Sequence, residues 1–189
     1  MMSTNALEKL IKGNDRFVNG NMKRLNIDKE SRIKGLKGQE PFALVLSCSD
    51  SRVPPEIIFD QGLGDLFVVR VAGNIIDKTV LGSIEYAVKH LNIKLVMVLG
   101  HSNCGAVKAA LEGYEEKNNI KIIADKIKPA LVDIKESNKA LEEAIKFNVK
   151  LVVEKLKKSE PVISKLARED LEILGGFYNI DSGRVDILE

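Results

Sequence analysis

Three short apolar runs leave this chain few folds to choose from: Phe42 to Ser47 (FALVLS), Leu66 to Val71 (LFVVRV) and Lys94 to Leu99 (KLVMVL). Each is rich in β-branched residues and nearly continuous in apolarity. A strand with one wet face would alternate apolar with polar, whereas these runs read as strands covered on both faces. Between the second and third, Leu81, Ile84, Ala87, Val88 and Leu91 recur at helical spacing. Strand, helix and strand in succession predict βαβ units and a parallel sheet. Leu171 to Ile180 and Arg184 to Leu188 predict two more strands joined by the turn Asp181-Ser182-Gly183. So tight a turn makes the last strand antiparallel, at one edge of the sheet.

The remainder is helical or polar. Leu7, Leu10, Ile11, Phe17 and Val18 lie near helical spacing in the segment Asn5 to Asn19, and a polar stretch with Gly35 and Gly38 follows. Asn119 to Lys158 reads as two helices, with Pro129 expected to bend the first near its start. Glu160-Pro161 is expected to start a further short helix, since proline suits a first turn. The expected architecture is α/β: a single domain over residues 1–189, its central mostly parallel β-sheet flanked by helices. An antiparallel edge strand closes the C-terminus, and residues 1–36 form an N-terminal helical arm.

Charge narrows the possible partners. The 29 basic and 27 acidic residues nearly cancel, and the lysines are dispersed, so nothing points to nucleic acid. No apolar run approaches the ~20 residues of a membrane span, and the N-terminus lacks the apolar core of a secretory signal. A cytoplasmic location is therefore expected. The 2 cysteines are too few for a disulfide scaffold, and in a reducing compartment such a pair points to metal binding or catalysis.

A polar cluster follows each of the first three strands: Cys48-Ser49-Asp50-Ser51-Arg52, then Ala72-Gly73-Asn74, then Gly100-His101-Ser102-Asn103-Cys104-Gly105. Ligands in open α/β sheets bind beyond the carboxyl ends of the strands, so Cys48, His101 and Cys104 can converge there. Two thiolates and an imidazole suit zinc and leave a fourth position open, as a catalytic site does. The alternative is two buried small hydrophobes and a loop histidine. Cys104, entering a helix, is expected to have its thiolate favoured by the helix dipole. A carboxylate at Asp50 held by the Arg52 guanidinium would stay ionised and fixed in direction, either to orient water or merely to clamp the loop. The first loop has too few residues between Cys48 and Arg52 for a phosphatase loop, and Gly62 and Gly64 precede a strand, the wrong context for a dinucleotide fingerprint.

These motifs closely resemble the β-class carbonic anhydrases: CSDSR at Cys48 to Arg52, DQGLGDLFVVRVAGN at Asp60 to Asn74, and GHSNCG at Gly100 to Gly105. KLIKGNDRFVNG near the start and GGFYNIDSG near the end are similar to that family too, so the resemblance spans nearly the whole chain. It implies a lyase with one zinc per chain, held by Cys48, His101 and Cys104, in which zinc-held hydroxide converts carbon dioxide reversibly into bicarbonate and a proton. It implies catalytic roles for Asp50 and Arg52, with Asp50 a possible fourth ligand in a closed form. It further implies substrate contacts from Gln39 across a subunit interface, from Phe67 and Tyr86 in an apolar pocket, and from the Gly105 amide, within a homodimer or homotetramer. The amphipathic N-terminal segment also suggests a dimer, because its apolar stripe needs a surface to cover. Some members carry a tryptophan that supports an inhibitory bicarbonate site where this chain has Val45. His90, the other histidine, is a candidate proton relay. Two alternatives stand beside carbon dioxide hydration: hydrolysis of an analogue such as carbonyl sulfide at the same zinc, and a zinc-binding module without turnover.

Overall fold

The three apolar runs form parallel strands, β1 (Ala43–Ser47), β2 (Leu66–Arg70) and β3 (Leu95–His101). β4 (Glu172–Tyr178) joins parallel to β3, and β5 (Val185–Leu188) closes the sheet antiparallel to β4. The strand order is β2-β1-β3-β4-β5, so the chain leaves β1 on one side and returns on the other. The computed structural model describes residues 2–23, 28–132, 134, 137–159, 163, 166 and 169–188. The short helix expected at Glu160-Pro161 lies outside the described residues.

Both faces of the central strands are covered, as their apolar continuity requires. Leu44, Leu46, Val96 and Val98 face one core with Ile84, Val88 and Val149. Ala43, Val45, Leu95, Met97 and Leu99 alternate onto the other face with Leu10, Phe59 and Tyr178. Every residue of β1 and β3 is buried, whereas β2, equally apolar, is only half-buried because it is an edge strand.

Helix α4 (Lys78–His90) makes the crossover from β2 to β3 and is capped by Asp77, whose carboxylate accepts from the Thr79 and Val80 amides at 2.9 Å each. α6 (Asn119–Ile127) is likewise capped by Asn118. Pro129 lies in the 3-10 turn Lys128–Leu131 that closes α6, not near the start of that helix. Asn118 sets the start, and proline, without an N–H, cannot extend α-helical bonding. The next long helix, α7 (Ala140–Lys157), buries Ala144, Ile145, Asn148, Val149, Val152 and Leu156 against the sheet.

The N-terminal segment has two unlike parts. α1 (Met2–Val18) buries Ala6 and Leu10 in the chain's own second core, beside the short helix α3 (Pro55–Ile58). Asn14 locks it there: its Nδ2 donates to the Ile58 and Gly183 carbonyls at 3.1 and 2.8 Å, and its Oδ1 accepts from the Val185 amide at 2.9 Å. Arg16 adds a contact with the buried Asp60 carboxylate. The apolar stripe of α1 is thus covered from within, so a dimer is not needed to cover it. α2 (Lys29–Gly35) buries nothing, and Leu36 beyond it is 83% exposed. Among the described residues no helix is long and apolar enough to cross a membrane.

Candidate metal centre

The strand order reverses between β1 and β3, and the crevice beyond their carboxyl ends is where open α/β sheets gather ligands. Cys48 is the first residue after β1, His101 the last of β3, and Cys104 the N-cap of α5 (Gly105–Leu111). Asn103, at φ 58°, makes the sharp turn that returns the chain from His101 to Cys104. The donor atoms of Cys48, His101 and Cys104 lie within 4.8 Å of one another, and all three residues are buried. Both cysteines are free thiols.

The histidine is presented as a ligand. Its Nδ1 donates to the Ser102 carbonyl at 2.9 Å, which puts the proton on Nδ1 and leaves a lone pair on Nε2. Nε2 is fully buried and has no hydrogen-bond partner, a costly arrangement in a site that stays empty. Two sulfurs and this imidazole nitrogen are the donor set that zinc prefers.

The two thiols stand side by side and act on one another. The Cys48 thiol is pushed down, first by the neighbouring Cys104 thiol, against burial, then by the His101 ring and the Gly73 and Asp50 amides. Cys104 is pushed up by the neighbouring Cys48, by burial and by the charge on Cys48, while the Val107 and Ala106 amides pull it down. These two amides, at the start of α5, act on Cys104 in the direction its helical position predicts, favouring the thiolate.

Asp50 and Arg52 form the expected fork. Arg52 donates from Nε to Asp50 Oδ1 at 3.0 Å and from NH2 to Oδ2 at 2.8 Å, and its amide also donates to Oδ1 at 2.9 Å. The Arg52 side chain beside it holds the Asp50 carboxyl well below the usual carboxylate range. Asp50 Oδ2 stands 4.0 Å from His101 Nε2, at the edge of the cluster.

Sequence reasoning missed three supports of this loop. Arg70, at the end of β2, donates to the Cys48 carbonyl at 3.1 Å and to the Asp50 carbonyl at 2.6 Å. The Gly73 amide donates to Cys48 Sγ at 3.3 Å. Asn148 of α7 donates to the Gly73 carbonyl at 2.9 Å. The polar cluster Ala72-Gly73-Asn74 signalled the second of these, but nothing in the local sequence signals the third.

The remaining expected site residues lie apart from the cluster within one chain, except Gly105, which follows Cys104 directly and is exposed. Phe67 on β2 and Tyr86 on α4 meet with ring centroids 6.4 Å apart, and Tyr86 also meets His90 at 5.2 Å. Tyr86 is 50% exposed. Gln39 is exposed and lines an open cleft between the α2 segment and the Leu63–Asp65 turn.

The family model for carbonic anhydrase matches residues 43–185. The chain is 40% identical over 185 residues to carbonic anhydrase 2 of Mycobacterium tuberculosis (strain CDC 1551 / Oshkosh), covering 95% of this chain and 89% of that relative. Among solved structures it resembles a tetrameric β-carbonic anhydrase of Sordaria macrospora, with a TM-score of 0.77 and 31% identity over 83% of this chain and 85% of that one. The β-carbonic anhydrase CcaA matches with a TM-score of 0.77 and 30% identity over 97% of this chain and 95% of that one.

Proposed function

This chain belongs to the carbonic anhydrase family, and from that premise we propose that it hydrates carbon dioxide reversibly to bicarbonate and a proton, with one zinc held by Cys48, His101 and Cys104. The observation that carries this reading is the convergence of two free buried thiols on an unpartnered imidazole nitrogen at the sheet's switch point. When bound, zinc supplies the Lewis acidity that makes water nucleophilic at accessible pH.

The chain's own groups do the rest. Ser102 holds the His101 ring by its Nδ1 proton, so Nε2 faces the sulfurs as a ligand. Asp50, kept ionised by Arg52, is a poor base and a good acceptor. Its role is to take a hydrogen bond from the attacking water and so aim a lone pair at carbon dioxide; the released proton passes to buffer. Asp50 Oδ2 lies 4.0 Å from His101 Nε2, so if the Arg52 fork released it, Asp50 would be near enough to become a fourth ligand in a closed form. Phe67 and Tyr86 supply apolar pocket walls, and the Gly105 amide faces the substrate oxygens.

A second copy of the chain completes the pocket, as a homodimer or homotetramer. The half-buried but wholly apolar start of β2, the half-exposed Tyr86 and the exposed Gln39 support this, as does the tetrameric state of the Sordaria macrospora relative. A reducing cytoplasm fits two unbridged thiols held this close.

Stopped-flow hydration of carbon dioxide by zinc-loaded protein tests the proposal. Fast hydration with stoichiometric zinc is expected. Zinc binding without turnover would leave only the binding module, and turnover confined to carbonyl sulfide would make the chain a hydrolase.

A further inference from the structure

The described contacts run in a line from the middle of α7 to a sulfur of the metal centre. Asn148 is 1% exposed and lies far from every ligand in sequence. Its Nδ2 donates to the Gly73 carbonyl at 2.9 Å, and the Gly73 amide donates to Cys48 Sγ at 3.3 Å. Resting on the zinc reading above, we infer that Asn148 is a positioning residue that aims the Gly73 amide at the Cys48 thiolate and thereby sets the affinity and electronic character of the metal centre.

Three features argue that this line is built. Gly73 has φ 70°, which glycine adopts freely, but Asn74 beside it has φ 43°, so the 72–74 turn does not hold its shape through local preference alone. A Cβ there would come within 2.8 Å of Ile127 Cδ1 and 3.2 Å of Ala106 Cβ, so the turn is also pressed into the core beneath the site. Glycines of the sheet, in turn, let α7 approach closely. A Cβ on Gly100 would fall 2.6 Å from Val149 Cγ2, and one on Gly175 2.8 Å from Val149 Cγ1. That approach is what brings Asn148, next to Val149, within reach of the turn.

The chemistry gives the contact a purpose. A thiolate that accepts an amide hydrogen bond gives less electron density to its metal, and groups that orient first ligands matter to affinity. A buried asparagine serving only to satisfy a carbonyl would affect folding with or without metal. One that aims the amide affects the metal itself.

The test uses the whole chain loaded with cobalt as a spectroscopic substitute for zinc. Asn148→Ala removes the donor, and Asn148→Leu removes it while keeping the side chain's size and branching. Both are expected to shift the sulfur-to-cobalt charge-transfer bands and to weaken metal affinity, measured by chelator competition, about tenfold. In cadmium-loaded wild-type protein the Gly73 amide proton is expected to couple to the metal nucleus through the sulfur, a readout that needs no variant to fold. Wild-type affinity and spectrum in both variants, or no coupling at Gly73, would overturn the inference. Absence of sulfur-to-cobalt bands in the wild type would instead overturn the zinc reading itself.

Discussion

The candidate metal ligands and the expected substrate contacts sit in regions of opposite character. Cys48, His101 and Cys104 are buried, mutually close and contained within one chain. Gln39 and Tyr86 are exposed, Phe67 is half-buried, and none of the three joins that cluster. The difference follows from where the strands lie. β1 and β3 are central, with helices on both faces, so residues at their ends enter a ready-made crevice. β2 is an edge with an unpaired side, and such an edge is blunted or covered in most proteins. The three donors are thus brought together by the subunit alone, whereas on the proposed reading the substrate pocket needs a second copy.

Removing a ligand should break the first half of this contrast most severely. Cys104→Ser is expected to lower zinc affinity by more than the ~10–100-fold typical of losing an outer partner, and to abolish hydration. Elemental analysis after dialysis, with stopped-flow assay, measures both. Retained stoichiometric zinc would show that the three donors are not one site.

Asp50→Asn should come next, separating binding from turnover inside the same buried region. Zinc content is expected to stay at the wild-type level while hydration falls by about 100- to 10,000-fold, the usual worth of an acid–base or orienting group. Full activity would reduce the Asp50–Arg52 fork to a loop clamp.

Gln39→Ala probes the other region. If the pocket is completed by a second copy, this change should leave zinc and Cys48 chemistry untouched and cut kcat/KM about fivefold, as losing one hydrogen bond worth ~1 kcal/mol would. Light scattering should show the oligomer intact. An active monomer insensitive to Gln39 would erase the contrast.

The smallest effect on activity is expected from the α1 seat. Leu10→Ala removes a fully buried side chain and should cost about 2–5 kcal/mol in denaturant unfolding while zinc stoichiometry holds. The acid response of Asp50 adds a finer check. Its folded pKa is depressed, so its stabilisation is complete above the ordinary carboxylate value of ~3.9 and is lost as pH falls through the lower folded value. The stability gap between wild type and Asp50→Asn should therefore be flat from pH 5 to pH 8 and shrink only below ~4, with a plateau under ~1 kcal/mol for so exposed a partner as Arg52.

Much of this was legible in one dimension. The apolar runs reported strands because continuous β-branched segments have few other ways to be buried, and the turn at Asp181-Ser182-Gly183 reported the antiparallel pair. The convergence of Cys48, His101 and Cys104 was legible because cysteine and histidine at strand ends are scarce and chemically specific. Pro129 was misplaced because a proline marks a break without saying on which side of it the helix lies. The apolar stripe of α1 was read as needing a partner, since amphipathicity shows that a surface is required but not whose.

The sequence by itself determined the kinds of element, their order and the three side chains that could hold a metal, all of which rest on local periodicity and side-chain chemistry. Only the tertiary structure decided that β2 is an edge while β1 is central, that α1 packs on its own sheet, and that Asn148 reaches Gly73. Those outcomes depend on contacts between residues far apart along the chain, and no local pattern encodes a distance that packing alone sets.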